Sequence, residues 1–124
     1  MGGNFPPLKL KTMKIKTIDI NAKEWFDKIN GNSYFAGTII LNYGMNSEET
    51  FIMQYENGYG NYYEQKAKAI LTEFNKISGK WTQPLRMYCR ENNIIYRSII
   101  IKNCKKRELK EIETLYNRQI ELIK

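Results

Sequence analysis

The stretch of sequence that decides this fold is WFDKINGNSYF, residues 25–35. Asn-Gly between two apolar, aromatic runs is the strongest short-range signal for a β-hairpin, because both turn residues tolerate a positive φ. A later stretch, NGYGNYYE at residues 57–64, places two glycines before an Asn that is followed three residues later by Glu. This spacing predicts an Asx-type capping box, in which Asn61 and Glu64 open a helix after a tight turn.

The periodicity of apolar residues predicts three strands before that helix and two strands after it. Apolar residues alternate with polar ones around residues 13–20, 35–43 and 51–55, and then take up helical spacing from residue 62 to Ser78-Gly79. Residues 85–90 alternate again and predict a fourth strand, which a turn at Asn92-Asn93 joins to a fifth strand at residues 94–101.

A final helix is predicted from about Cys104, with Asn103 as its N-cap. The expected fold is therefore α+β, with a five-stranded, mainly antiparallel sheet in the order βββ-α-ββ-α. The register of the last hairpin stays open at this stage. A two-residue turn places Tyr88 opposite Arg97, whereas a three-residue turn places Tyr88 opposite Tyr96.

Length and composition predict one domain. The chain has 124 residues, of which 42% are hydrophobic, and this supports a single core. We expect residues 1–12, with their paired glycines and prolines, to be a flexible tail and residues 13–124 to form one ligand-binding domain. Met13 could also be the native start. Because the sequence contains no long apolar run and no leader pattern, we expect a soluble, cytoplasmic protein.

The charge and the missing residue types favour binding over catalysis. The formal net charge is +7, which favours an anionic partner such as a nucleotide, a nucleic acid, an acidic protein or a membrane surface. The chain contains no histidine, and hence no default base at neutral pH and no histidine ligand for a metal. Its two cysteines, Cys89 and Cys104, lack metal-ligand spacing. We therefore expect no enzyme activity, no cofactor and no metal site.

Three parts of the sequence are candidates for binding an anion. The first is the turn at Tyr59 and Gly60, which would present backbone N–H groups. The second is the start of the final helix, where Lys106 and Arg107 follow Lys105; an anion nearby would offset the unfavourable meeting of cations with the helix dipole. The third is the polar face of the predicted second hairpin, with Trp81 as a further stacking surface; its members are Tyr88, Arg90, Asn92 and Arg97.

The two motifs, in this order along the chain, resemble the Thoeris anti-defence sponge family, first type. These are small phage proteins that sequester cyclic nucleotide signals of bacterial immunity. The resemblance implies a sponge for glycocyclic ADP-ribose isomers, with cyclic oligonucleotides as a second class of ligand. It also implies a homo-oligomer, built as a hexamer, that acts in the host cytoplasm. The sequence departs from the family pattern at Asn57 and Phe35, where Tyr and His are more usual.

The final helix carries an apolar stripe that predicts self-association. Its members are Leu109, Ile112, Leu115, Tyr116, Ile120 and Ile123. Pairing with the same helix of a second copy would bury this stripe, and packing on the sheet of its own chain is the alternative. Two other functions use the same features: a module that binds single-stranded nucleic acid through its basic and tyrosine-rich surface, and a phage accessory factor that binds a protein through the final helix.

Overall fold

The sheet has four strands, and three helices pack against it. The computed structural model describes residues 14–78 and 82–122, with side chains up to residue 118, so the predicted tail lies outside the described residues. The strands are β1 (Thr17–Asp27), β2 (Asn32–Leu41), β3 (Glu49–Asn57) and β4 (Ile95–Ile101). The helices are α1 (Tyr62–Glu73), α2 (Leu85–Glu91) and α3 (Lys106–Leu122). The predicted α+β class is confirmed, and the predicted fifth strand is wrong.

The Asn-Gly stretch forms the predicted hairpin between β1 and β2. Gly31 has a φ of 72°, and its backbone N–H donates to the carbonyl of Asp27 at 2.7 Å, which closes the loop 28–31. The register of the hairpin places Trp25 opposite Tyr34. β3 continues the antiparallel meander and contains a bulge opposite Phe35 and Gly37 of β2.

β4 pairs with β1 in parallel, so the sheet is mixed and its order is β3-β2-β1-β4. The expected mainly antiparallel five-stranded arrangement is therefore wrong in strand number and in the pairing of its last strand. A parallel pair requires a crossover connection, and α1 and α2 supply it.

Helices cover both faces of the sheet. On one face, α1 and α2 bury the main core, in which Ile18, Ile20 and Phe35 of the sheet meet Leu71 of α1 and Cys89 of α2. The opposite face is the α3 face, because α3 lies across β3, β2 and β1 there. Side chains alternate between the two faces along each strand, so Trp25 and Tyr34 lie on the α3 face.

The predicted fourth strand is α2. Leu85 and Cys89 are buried because they are four residues apart on one side of a helix, while Met87 between them is 44% exposed. A short apolar run fits both periods, so alternation alone did not decide between strand and helix. Pro84 lies directly before the helix, where its missing N–H costs no hydrogen bond.

The predicted turn at Asn92-Asn93 is the C-terminal end of α2. Asn93 has a φ of 57°, and the N–H of Ile94 donates to the carbonyl of Cys89 at 2.8 Å. This is a Schellman motif with Asn in the left-handed position that Gly more often occupies. α1 ends in the same way at Asn75, with a φ of 58°, and not at the predicted Ser78-Gly79.

The last helix begins two residues later than predicted and packs on its own sheet. Its N-terminus is capped by Glu108, whose carboxylate accepts the backbone N–H of Lys105 at 2.9 Å, whereas Asn103 has a φ of 63°. Leu109 is fully buried, and Leu115 is 50% exposed. Ile120 and Ile123 lie outside the described side chains. The apolar stripe is thus used, at least in part, within the chain.

Candidate anion-binding site

The sheet topology brings two of the three predicted parts to the same end of the molecule. β1, β3 and β4 run in the same direction, so the segments that follow them lie at the same end of the sheet: residues 28–31, 58–61 and 102–105. We call this end the carboxyl end of the sheet. It contains Tyr59 and Gly60 of the predicted turn, and it also contains the start of α3 with Lys106 and Arg107.

The turn at Tyr59 and Gly60 is tied to the hairpin loop. The Tyr59 hydroxyl lies 3.2 Å from the carbonyl oxygen of Gly31 and 3.2 Å from Oδ1 of Asn32. Gly60 adopts a φ of 55°, with open space where a side chain would begin. The predicted capping box is wrong, because Asn61 makes no side-chain hydrogen bond to the helix start. Glu64 turns inward instead and accepts hydrogen bonds from Tyr96 and Arg86.

Residues 102–107 form a basic segment beside β1. The backbone N–H of Cys104 donates to the carbonyl of Glu24 at 2.9 Å, so the segment continues along β1 after β4 has ended. Six cationic side chains of the described residues form ion pairs with carboxylates. The basic segment contains four further cationic side chains, which form none of these ion pairs and are all exposed: Lys102, Lys105, Lys106 and Arg107.

An aromatic row crosses the α3 face next to the basic segment. The ring centroids of Trp25 and Tyr34 are 5.5 Å apart, and those of Tyr34 and Tyr55 are 5.0 Å apart with an interplanar angle of 10°. The row therefore runs from β1 through β2 to β3. Burial raises the pKa of Tyr55, with smaller contributions from Tyr34 and the nearby carboxylates of Asp27 and Glu113, so its hydroxyl stays neutral at physiological pH.

Two lysines from successive turns of α3 contact the rings at the two ends of the aromatic row. The ammonium group of Lys106 lies 5.4 Å from the Trp25 ring centroid, and that of Lys110 lies 4.4 Å from the Tyr55 ring centroid. Both distances are within the range of cation–π attraction. Lys110 also forms an ion pair with Glu113 at 3.1 Å, whereas Lys106 forms no ion pair in the described part of the chain and only contributes, through its charge, to the lowered pKa of Asp27. Lys106 is thus the more easily displaced of the two.

The chain itself supplies one anion to the start of α3. The backbone N–H of Lys105 donates to Glu108, and Lys23 of β1 lies 3.4 Å from the same carboxylate. These contacts, the Lys105 hydrogen bond first, lower the pKa of Glu108. Glu108 therefore offsets part of the cationic charge in the first helical turn, so the presence of those cations does not by itself require a bound anion.

The third predicted part does not assemble with the other two. Tyr88, Arg90 and Asn92 belong to α2 and its C-cap, which leads to the opposite end of β4. Tyr88 and Asn92 both line a cavity of about 590 Å³ there, and Arg90 is exposed. Arg97 lies on β4 and is held by both carboxylate oxygens of Asp19, at 2.5 Å and 3.0 Å. Trp81, the other stacking candidate, lies outside the described residues.

The sequence interpretation missed Trp25, Tyr34 and Tyr55 as site residues. A signal for them was present, because the hairpin loop fixes the pairing of β1 with β2 and so places Trp25 opposite Tyr34. Tyr55 was placed on β3, but the bulge opposite Phe35 and Gly37 shifts it to the α3 face. That shift is not visible in the periodicity of a single strand.

Within the ranges that the structure describes, no group of three or more acidic, cysteine or histidine side chains is arranged to hold a metal ion. No helix in the same ranges is both long and apolar enough to cross a bilayer. Cys89 is buried, and burial raises the pKa of its thiol to about 11, so it is a poor nucleophile at neutral pH.

Comparisons with known proteins identify no relative. No protein-family model, no curated protein and no solved structure matches this chain. The resemblance to the Thoeris anti-defence sponge family therefore rests on the two sequence motifs alone.

Proposed function

We propose that this protein is a non-catalytic sponge that binds and sequesters a small cyclic nucleotide at the carboxyl end of its sheet. The observation that carries the proposal is the basic segment 102–107: its four cations are exposed and form no ion pair within the described residues, and one of them, Lys106, lies over the ring of Trp25. Phosphate groups bind cations that are not held in ion pairs, and a nucleobase needs an aromatic face to stack on. The resemblance suggests glycocyclic ADP-ribose isomers as the ligand, and bacterial anti-phage defence in the host cytoplasm as the process that is blocked.

The binding mode follows from the position of Lys106. Trp25 stacks on Tyr34, and the ammonium group of Lys106 lies over the ring of Trp25. An adenine base would displace the Lys106 ammonium from this ring and stack in its place. The released ammonium would then pair with a phosphate, together with Arg107 and Lys105 from the same segment. Tyr59 and Gly60, at the same end of the sheet, are candidates for contacts to the ribose.

A non-catalytic role agrees with the groups near the proposed site. The chain has no histidine. The nearest carboxylates already accept hydrogen bonds: Asp27 accepts the N–H groups of Ile29 and Asn30, and Glu108 accepts that of Lys105. These contacts lower the pKa of both carboxyl groups, led by the side chain of Asn30 for Asp27, which makes them weaker bases.

A titration of Trp25 fluorescence tests the proposal. Trp81→Phe leaves Trp25 as the only tryptophan, and cyclic ADP-ribose is the probe. We expect quenching that saturates, and a loss of roughly tenfold or more in affinity for Arg107→Ala, because a charge-assisted contact to phosphate is removed. Arg90→Ala is the matched control, since it removes an exposed arginine far from the basic segment and should leave binding unchanged.

Salt dependence separates the sponge from a module that tracks single-stranded nucleic acid. A ligand with two phosphates releases few counterions, so its affinity should fall only gently with salt, whereas a strand binder loses affinity in proportion to the phosphates it neutralises. The rings of the aromatic row already contact one another and the two lysines of α3, so few ring faces are free for successive bases. Tight binding of a single-stranded oligonucleotide with a steep salt slope, and no binding of cyclic ADP-ribose, would overturn the proposal.

A further inference from the structure

Within the part of the chain that the structure describes, the edge strand β4 carries unpaired backbone groups. β4 pairs only with β1, and the N–H of Ile95 donates to the carbonyl of Lys16 at 2.9 Å, so odd-numbered residues of β4 direct their backbone groups toward β1. The N–H and C=O groups of the even-numbered residues point away from the sheet. These residues are Tyr96, Ser98 and Ile100, and their backbone groups form no hydrogen bond within the described part of the chain.

The same edge exposes three large apolar side chains on the α3 face. Ile95, Ile99 and Ile101 are 57%, 53% and 52% exposed, because α3 lies across β3, β2 and β1 and leaves β4 uncovered. The fourth side chain of this row is Arg97, whose charge is neutralised by Asp19. The edge thus lacks the free charges and bulges with which sheet edges normally avoid pairing.

The opposite edge of the sheet is protected by the bulge in β3, which interrupts the regular row of backbone groups that a second strand would need. Two carboxylates of β3 are ion-paired, as Arg97 of β4 is: Glu56 with Lys66 at 3.2 Å and Glu49 with Lys76 at 2.8 Å. The contrast between the two edges indicates that β4 is a pairing surface and that β3 is not.

We propose that β4 pairs antiparallel with β4 of a second copy of this chain, about a two-fold axis at Ser98, and so forms one continuous sheet across the dimer. In this register Ser98 faces Ser98 of the partner, and Tyr96 faces Ile100. The outward N–H and C=O groups of all three even-numbered residues then pair, which gives six hydrogen bonds across the interface.

The side chains support a second copy as the occupant. The same register places Ile95 opposite Ile101 and Arg97 opposite Ile99, so apolar groups meet and no two charges of the same sign lie opposite each other. Moving the axis by one residue to Arg97 would place two arginines opposite each other and leave fewer groups paired. A single seven-residue strand is a small interface, so we expect a reversible dimer rather than an obligate one.

Light scattering and sedimentation equilibrium over a concentration series test the proposal on the full chain. We expect the mass to rise from 14.7 kDa toward twice that value as the concentration increases. A mass of 14.7 kDa at every concentration up to the high micromolar range would overturn the proposal.

Two substitutions of Ile99 test the register. Both remove the same apolar side chain, but residue 99 faces Arg97 of the partner, so Ile99→Lys adds repulsion whereas Ile99→Glu adds attraction. We expect the dimer dissociation constant of Ile99→Lys to exceed that of Ile99→Glu by roughly tenfold or more, because the pair occurs twice in the dimer. Ile29→Lys, in the hairpin loop and 92% exposed in the wild type, is the matched control and should leave the dimer intact. Equal dissociation constants for both Ile99 variants would contradict the register.

A mixing experiment keeps the test independent of any one variant. The two single variants Ile95→Lys and Ile101→Glu are prepared separately and mixed. In the proposed register, the new lysine of one variant faces the new glutamate of the other only in a heterodimer. Native mass spectrometry of the mixture should show more heterodimer than random association gives. A random distribution, with both variants folded by circular dichroism, would overturn the antiparallel pairing.

Discussion

Lys106 of α3 lies over the indole ring of Trp25 of β1, with 5.4 Å between its ammonium nitrogen and the ring centroid. This contact joins the two features that the proposed function needs, because one residue belongs to the basic segment and the other ends the aromatic row. It also holds the start of α3 against the sheet. In the proposed binding mode, the same side chain stabilises the fold in the free protein and contacts the phosphate in the complex.

Removing the charge of Lys106 should weaken the fold slightly and the proposed binding strongly. Lys106→Met keeps an unbranched apolar stem but loses the ammonium, so we expect the free energy of unfolding to fall by about 0.5–1 kcal/mol, as for an exposed cation–π contact. Urea denaturation measures this change. Lys105→Met is the matched control for stability, since that ammonium contacts no aromatic ring in the described residues, and it should change the free energy of unfolding less.

Asn42 is a buried structural residue whose loss should be costly. Its side chain is 1% exposed and accepts the N–H groups of Lys16 and Thr17 at 2.6 Å and 3.3 Å. Its amide also donates to the carbonyl of Lys14 and to the Ser47 hydroxyl, both at 3.0 Å. Asn42→Ala should lower the free energy of unfolding by about 2–4 kcal/mol, because the partly buried backbone groups of Lys14, Lys16 and Thr17 lose their partner.

Asn103→Ala is the matched control for Asn42→Ala. Both residues have a positive φ, 53° for Asn42 and 63° for Asn103, but Asn103 is exposed. The cost of replacing Asn103 therefore reports the backbone conformation alone. Similar losses of stability for the two variants in urea denaturation would show that the hydrogen bonds of Asn42 contribute little.

Acid should weaken the attachment of α3 through Glu108. The pKa of this carboxyl group is lowered from its ordinary value of 4.5, mainly by the hydrogen bond from the backbone of Lys105. Its stabilising contribution is therefore fully present above pH 4.5 and is lost as the pH falls through the folded-state pKa. Melting temperatures of the wild type should fall across this window, and those of Glu108→Gln should fall less. Glu111→Gln, an exposed substitution on the same helix, should follow the wild-type profile.

The two thiols should react at very different rates. Cys89 is buried among core residues, and its pKa is raised to about 11 by that burial, whereas Cys104 is only partly buried. We expect a maleimide to label Cys104 in the folded protein at neutral pH and to label Cys89 only on unfolding. Mass spectrometry of the labelled peptides measures this order. Labelling of Cys89 at the same rate as Cys104 would contradict the packing of α2.

The sequence predicted the parts of the fold that depend on local rules. Asn30-Gly31 marked the hairpin, and the change of period after Tyr62 marked α1. The errors occurred where one pattern fits two structures. Leu85 and Cys89 fit a strand face and a helix face equally well, and Asn75 and Asn93 end helices in the left-handed conformation that Gly more often adopts.

The remaining differences depend on contacts that lie far apart along the chain. The parallel pairing of β4 with β1 joins residues about 80 positions apart, such as Asp19 and Arg97, and no local pattern specifies it. The final helix packs on a second apolar face of the sheet that includes Ala36 and Ile52. The periodicity of single strands does not reveal this second face, so the sequence favoured pairing of the helix with a second copy over packing on its own sheet.

Capture and release of the ligand tests the central claim most directly. The full chain is incubated with cyclic ADP-ribose, freed of unbound ligand on a sizing column, and denatured by heat. We expect intact ligand in the supernatant, close to one molecule per chain, and much less from the Arg107→Ala variant. Recovery of a cleaved product would instead identify an enzyme, and the absence of any retained ligand would contradict the sponge.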